Sequence, residues 1–399
     1  MGERERIPEL DGLRGIAIGL VLIWHYFFLL IRLRPGTILS YAFVSLRLTW
    51  TGVDLFFVLS GFLIGGILLD ARDSSNYFAV FYSRRFFRIV PIYLLCLGGV
   101  FVLSALIKAG MASKVIWMMD DQLPWTPYLL FIQNFWMAQK NTLGSFGLGA
   151  TWSLSVEEQF YLSLPTLVRF LTTRRLVTIL ICGILTAPVL RAILRTLWPD
   201  HFISWFVLMP CRADALLLGA LAAVGLRESS FRAWLVRNQR LLQLFILVFL
   251  GGMGFLTLRA PDPRVFLMLS VGFTWQALFY LAVLLYAILF PQSILSRCLR
   301  WGWLAWLGSI AYGTYLLHEF VLGGIHGLIW SRPPIITNVW ELAATLMALL
   351  LTLMICHLSW QYFERPLVRV GHSWHYLFDS PDSSQLAAPG VEGRGAATP

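Results

Sequence analysis

Charged residues are scarce in this chain: Asp, Glu, Lys and Arg make up 13% of its 399 residues, about half the share of an ordinary soluble domain. That scarcity excludes the usual water-solvated globular protein. Acidic residues are the rarer sign, 21 against 31 basic, and the formal net charge is +10. The arginines are scattered through short segments between apolar runs and build no basic folded surface, so nucleic acid is not an expected partner. They suit anionic membrane lipid and the setting of topology instead. The five cysteines, Cys96, Cys182, Cys211, Cys298 and Cys356, form no CxxC or Cys/His spacing and read as buried small hydrophobes.

Several signatures are missing. There is no GxxxxGK or GxGxxG, hence no phosphate-cradling loop. No HExxH or Cys/His spacing is present, so no metal is expected. The serines of FVLSGF and WSLSVEE are not in GxSxG, which argues against a serine nucleophile on its own elbow. No small-residue cleavage site follows the first apolar run, so that run is expected to be a retained helix. No internal repeat is visible, which weakens an inverted-repeat transporter.

What the chain has is apolar length. Apolar residues make up 58% of it and the mean hydropathy is +0.71. The expected fold is all-α, a polytopic transmembrane bundle of about ten spans. Runs of about 20 residues, enough to cross ~30 Å of hydrocarbon, cover residues 13–31, 49–69, 86–107, 151–170, 176–196, 204–226, 241–258, 265–290, 303–329 and 339–361. The apolar stretch 127–137 is too short to cross and reads as interfacial or re-entrant. Residues 1–370 then form one transmembrane domain, followed by a cytoplasmic tail, 371–399, whose last twenty residues are rich in Pro, Gly, Ala and Ser and expected to be disordered.

Arginine sets the orientation. With a cytoplasmic N-terminus, that side receives Arg4, Arg6, Arg72, Arg84, Arg85, Arg88, Arg174, Arg175, Arg227, Arg300 and Arg365, among others. The opposite side receives a thinner set such as Arg32, Arg34, Lys108, Lys114, Arg259, Arg264 and Arg332. The positive-inside rule therefore places both termini in the cytoplasm.

Against this background the ionisable groups inside the spans are functional candidates. Arg14 and His25 lie eleven residues apart in LDGLRGIAIGLVLIWH. At about 100° and 1.5 Å per residue they share a helix face about 16 Å apart, a cation near the surface and an imidazole deep in the membrane. Asp54, Glu157 with Glu158, Arg212 with Asp214, and His318 with Glu319 fall at similar depth on other spans. In hydrocarbon such groups face the bundle interior, pair, or line water.

His25 is the candidate general base, because an imidazole beside a carboxylate can take a proton from a hydroxyl. Asp54 is the acid nearest in depth, and Glu157 or Glu158 are alternatives. Arg14, Arg85 and Arg88 make a guanidinium cluster suited to phosphate. A phosphate site about 16 Å from a base fits a donor with a phosphorylated head and a long reactive arm. Acyl-CoA has that shape, as a co-substrate rather than a bound cofactor.

Seven strings spread over residues 9–367 carry a family resemblance: LDGLRGIAIGLVLIWH, TGVDLFFVLSGFLIGGIL, RRFFRIVPIY, TWSLSVEEQFYLSLP, MPCRADALLLGALAA, WLGSIAYGTYLLHEF and YFERPL. The chain resembles the acyltransferase-3 family of integral membrane O-acyltransferases, which modify bacterial surface polysaccharides and some secreted glycosides or antibiotics. The resemblance implies a bacterial inner-membrane enzyme that moves an acyl group, commonly acetyl, from cytoplasmic acyl-CoA to a sugar hydroxyl. The family's Arg-x10-His falls on Arg14 and His25, its donor-side arginines on Arg85 and Arg88, its WSLSxE on Trp152 to Glu157, and its late histidine on His318. Ala311-Tyr312 stands where that last pattern has Ser-Tyr. Members with an appended extracytoplasmic SGNH hydrolase-like domain are longer, so an extracytoplasmic partner protein is expected to stand in, or none is used. Arg212, His318 and Glu158 are the candidates for holding the saccharide or the developing oxyanion. The competing class is a transporter or flippase for a glycan or lipid-linked substrate, its charges forming a path.

Overall fold

A computed structural model describes residues 7–33, 37, 43–120 and 122–378. Arg4, Arg6, Arg34 and the tail beyond residue 378 lie outside the described residues. Ten long helices carry the fold: α1 Pro8–Ile23, α2 Gly52–Asp70, α3 Tyr77–Lys108, α4 Trp152–Phe170, α5 Thr173–Leu197, α6 Met209–Gly225, α7 Gln239–Arg259, α8 Phe273–Leu289, α9 Ala311–Trp330 and α10 Val339–Ser359. Among the described residues there is no strand, only an isolated bridge between Ile31 and Ile336 that ties the end of the first span to the loop before α10.

Among the described residues, eight segments are long and apolar enough to cross a membrane. The two remaining helices, α4 and α9, have 19 and 20 residues but carry Glu157, Glu158, His318 and Glu319, which dilute their hydropathy. The two helices that look least like spans each carry a pair of adjacent ionisable candidates. The bundle is inside-out relative to a soluble fold. Large apolar residues such as Leu185 and Val189 on α5, Leu247 and Leu258 on α7, and Leu350 and Met354 on α10 face outward, while Arg191, Arg212, Asp54, Asp214 and His318 are buried. A lipid solvent rewards this arrangement, since backbone polar groups are satisfied within helices and charges must find partners inside. The protein is a multi-pass membrane bundle.

Local signals explain several boundaries. α1 opens with Pro8 at its first turn and Glu9 and Asp11 close behind, which suits the positive end of the helix dipole. α10 is capped by Asn338, whose side-chain oxygen accepts from the backbone of Trp340 and Glu341 at 3.0 and 3.1 Å. Other boundaries depart from the expectation. α3 starts at Tyr77, not at 86, so Arg84, Arg85 and Arg88 stand on a helix. The 303–329 run is two helices, Gly302–Ser309 and α9, parted at Ile310. The 127–137 stretch is a pair of short helices, Trp125–Leu129 and Gln133–Lys140, broken by Phe131 with φ +53°. Residues 373–378 pack back on the start of α3 through Asn76 and Arg84, which carries the packed body past 370. Cys96, Cys211 and Cys356 are buried, but Cys182 is exposed and Cys298 half-buried. Cys182 lies among outward-facing apolar residues of α5, where a small apolar side chain is as well placed against lipid as in a core.

Two glycines set the α2–α6 crossing. A Cβ on Gly61 would lie 1.9 Å from the Leu216 carbonyl oxygen, and one on Gly219 would lie 2.2 Å from that of Val58. Small residues allow this backbone approach between membrane helices. Gly61→Ala is expected to lower stability by roughly 1–3 kcal/mol through overpacking, read as a reduced thermal midpoint of the purified protein. Gly251→Ala, at a site with open space around it, should leave the midpoint in place.

Candidate active site

His25 sits where the first helix changes its winding. α1 ends at Ile23 and continues through Trp24–Phe28 as a π-helical turn, a wider turn frequent at functional sites. The buried Tyr26 fixes this turn by donating to the backbone oxygen of His318 at 2.8 Å and sharing a 2.8 Å hydrogen bond with Thr352 on α10.

His25 Nδ1 lies 3.0 Å from the carbonyl oxygen of Val21. A carbonyl only accepts, so Nδ1 carries hydrogen and Nε2 is the functional nitrogen. That atom is 3.1 Å from Glu319 Oε1. His318 lies beside it, ring centroids 4.8 Å apart and edge-on. Its Nδ1 donates to the carbonyls of Tyr315 and Thr314, at 2.8 and 3.2 Å. Its Nε2 is buried without a partner. With Nδ1–H committed, this lone pair suits accepting from a hydroxyl rather than donating to an oxyanion.

A second site opens below. Arg14, Arg85 and Arg88 line a cavity of about 180 Å³ with Glu157, Glu158 and Glu364. Arg85 and Arg88, three residues apart on α3, share a helix face. Arg14 is also held by Asp11 at 2.7 Å. Tyr315 is part of the cavity wall; its hydroxyl is held by Ser153 Oγ at 2.6 Å and donates to the Ala150 carbonyl at 3.0 Å. The same residue's carbonyl takes the His318 hydrogen bond, so Tyr315 is the physical link between the arginine cavity and the imidazole pair.

The third group is separate. Arg212 Nη2 donates to Asp54 Oδ1 at 2.7 Å, both side chains almost fully buried. Its guanidinium lies 4.1 Å from the Phe273 ring centroid and 5.4 Å from those of Trp152 and Phe206. Arg191 pairs with Asp214 at 3.0 Å, and Thr274 donates to the same carboxylate at 2.6 Å. This network ties α2, α5, α6 and α8 together.

The sequence-derived candidates thus divide into three groups. His25 and His318 meet. Arg14, Arg85 and Arg88 meet, and Glu157 and Glu158 join them in the cavity rather than joining His25. Asp54 does not reach His25: α2 turns residue 54 toward Arg212 on α6, and the carboxylate at His25 is Glu319. Arg212, a saccharide or oxyanion candidate, gives its Nη2 to Asp54 among aromatic rings, while its Nη1 is buried without a partner. The WSLSxE segment serves all three environments, with Trp152 against Arg212, Ser153 on Tyr315 and Glu157 in the cavity. Glu319 stands in the sequence only as a group at the right depth, with no role at the site, and Glu364 is not among the candidates. The adjacency of Glu319 to His318 in an apolar helix was the available signal for the first, and the ionisable group in YFERPL for the second. His357, away from all of this, accepts from Trp306 Nε1 at 3.1 Å and acts as a packing residue.

The comparisons agree with the architecture. The Acyl_transf_3 family, described as an acyltransferase domain, matches residues 7–358. The peptidoglycan O-acetyltransferase OatA of Listeria monocytogenes is 26% identical over 92% of this chain and 57% of its own length. The putative peptidoglycan O-acetyltransferase YrhL of Bacillus subtilis is 26% identical over 90% and 55%, and the O-acetyltransferase OatA of Staphylococcus aureus 23% identical over 96% and 60%. The chain therefore spans somewhat more than half the length of these curated relatives. No solved structure matches it. With nearly nine-tenths of its length matched, the chain belongs to the acyltransferase-3 family.

Proposed function

We propose that the protein is a membrane O-acetyltransferase that takes an acetyl group from acyl-CoA at the arginine-lined cavity and passes it to a saccharide hydroxyl, of peptidoglycan or a related envelope glycan. The observation that carries this reading is the His25–Glu319 contact at 3.1 Å, on the same helix as Arg14 and one tyrosine away from a cavity lined by three arginines. The names of the relatives support the acyl group and the acceptor class. The arginine distribution supports a cytoplasmic cavity, both termini on that side and an acceptor arriving from the opposite face, and the bacterial relatives support residence in a bacterial cell membrane.

In this mechanism the guanidinium groups of Arg14, Arg85 and Arg88 hold the donor's phosphates by charge-assisted hydrogen bonds. The thioester arm extends past Tyr315 toward His25. A second hydroxyl of the saccharide donates to the free Nε2 of His318, the acceptor hydroxyl points its hydrogen at His25 Nε2, and its oxygen attacks the thioester carbonyl carbon. Its proton passes to His25 Nε2, Glu319 holds the resulting imidazolium, the carbon–sulfur bond breaks, and the leaving CoA thiolate takes that proton from His25, which restores the base. Glu157 and Glu158, among the arginines, keep them apart and aligned until the donor binds.

Purified protein in lipid nanodiscs, given labelled acetyl-CoA and peptidoglycan fragments, should produce labelled O-acetyl ester and one free CoA per ester. CoA release with no ester on any saccharide, or saccharide movement across vesicles with no ester, would overturn the reading. Arg14→Ala should raise KM for acetyl-CoA by about 10- to 100-fold, the worth of a charge-assisted hydrogen bond, with a smaller change in kcat. A fall in kcat at unchanged KM would remove Arg14 from the donor site.

A further inference from the structure

Two imidazoles and a carboxylate converge within the bundle in a way that proton transfer alone does not require. One ring nitrogen each of His25 and His318 and a Glu319 oxygen all lie within 4.8 Å of one another. Both rings have Nδ1 pinned to backbone carbonyls, of Val21 for His25 and of Tyr315 and Thr314 for His318. That is the outer-shell arrangement that fixes the tautomer of a metal-binding histidine and turns its Nε2 lone pair outward. His318 is 1% exposed and its Nε2 has no partner. A buried acceptor left without a partner is unfavourable, and a cation held with the neighbouring imidazole and carboxylate would satisfy it.

From this geometry we propose that His25, His318 and Glu319 form a binding site for a divalent cation of the zinc type, and that its occupancy withdraws His25 from proton transfer. Two imidazoles and one carboxylate are a zinc donor set, and at bond lengths of about 2.0–2.2 Å tetrahedral ligand atoms sit roughly 3.3–3.5 Å apart. The His25–Glu319 pair, at 3.1 Å, is already near that spacing. Closing the third ligand takes a displacement on the order of 1 Å by the His318 ring, whose χ2 torsion is soft. Magnesium and calcium prefer all-oxygen sites and are excluded by the two nitrogens. His25 and Glu319 keep side-chain exposures of 22% and 14%, so an ion can reach them. Bound metal takes the Nε2 lone pair that the acceptor proton needs. Zinc is therefore a reversible inhibitor, and the ligand assignment itself does not depend on His25 being the base.

The test is a zinc titration of the purified full chain against a chromophoric zinc indicator, with no substrate present. One equivalent should bind, at least tenfold more weakly in His318→Gln and in Glu319→Gln. His326→Gln, one face of α9 removed and bonded to Thr345, should bind as the wild type does, and magnesium or calcium should not compete. Cobalt substituted into the wild-type protein should give a four-coordinate nitrogen–oxygen ligand-field spectrum, a readout that needs no variant to fold. Less than one equivalent bound, equal affinity in the variants, or an octahedral all-oxygen cobalt spectrum would overturn the site. Acetyl transfer by metal-free protein is measured in parallel and should fall in step with zinc occupancy; unchanged transfer at full occupancy would overturn the inhibitory half. Failure to bind zinc would leave the transfer reaction standing.

Discussion

His25→Ala is expected to lower kcat for acetyl transfer by about 10²- to 10⁴-fold, the usual worth of a positioned general base, while KM for acetyl-CoA moves little. The separation follows from distance. His25 is eleven residues along the first span from Arg14 and does not line the arginine cavity, so donor binding has no contact to lose. The ring touches His318 and Glu319 on α9, but the buried Tyr26, its neighbour, holds the same turn to α9 and α10. The variant should therefore fold, with a thermal midpoint close to wild type. Steady-state kinetics with acetyl-CoA varied at saturating acceptor check this, and a variant that keeps a tenth or more of wild-type kcat would contradict it.

Asp54→Ala should fail for a different reason. It leaves Arg212, 1% exposed, as an uncompensated cation among aromatic rings, and breaking a buried pair in this way costs roughly 3–5 kcal/mol. The expected result is a protein with a strongly reduced thermal midpoint and low yield, its activity lost with its fold. The double variant Asp54→Leu with Arg212→Met removes both charges. Replacing a buried pair by apolar groups of similar volume is often neutral or better, so the double variant should recover the midpoint and most of the transfer activity. Recovery of the midpoint with no recovery of activity would return Asp54 or Arg212 to the chemistry. The midpoint and the kcat of the two proteins, measured side by side, decide it.

The parts of the site legible in the sequence are those set by local periodicity. Arg14 and His25 on one stripe need only the pitch of a helix. Arg85 and Arg88 share a face because three residues separate them. The all-α membrane class follows from composition, since 13% charge cannot solvate a bundle this size. What was not legible depends on how helices are rotated and paired. Asp54 and Glu319 lie at similar depth, and only the packing of α2 on α6 and of α1 on α9 decides which acid meets His25. The pairing of Asp54 with Arg212 spans 158 positions and leaves no spacing to read. The π-helical turn at Trp24–Phe28 changes the direction of His25 without a Pro or Gly to announce it. Glu157 and Glu158 looked like members of the imidazole layer because depth along a span was the only coordinate the sequence offered. Their lateral position comes from the packing of α4 on α2, which turns them into the cavity that the arginines of α3 also line. The polar residues that kept α4 and α9 below the hydropathy of their neighbours are largely those that line the two sites.

His25 and Glu319 act on the proton as one unit, and a double-mutant cycle on kcat measures that coupling. His25→Ala, Glu319→Gln and the double variant are compared with wild type under saturating acetyl-CoA and acceptor. The predicted result is that each single change lowers kcat and that the double variant is no slower than His25→Ala alone, because Glu319 has no imidazolium left to hold. A double variant slower by the product of the two single effects would show two independent contributions and contradict the account.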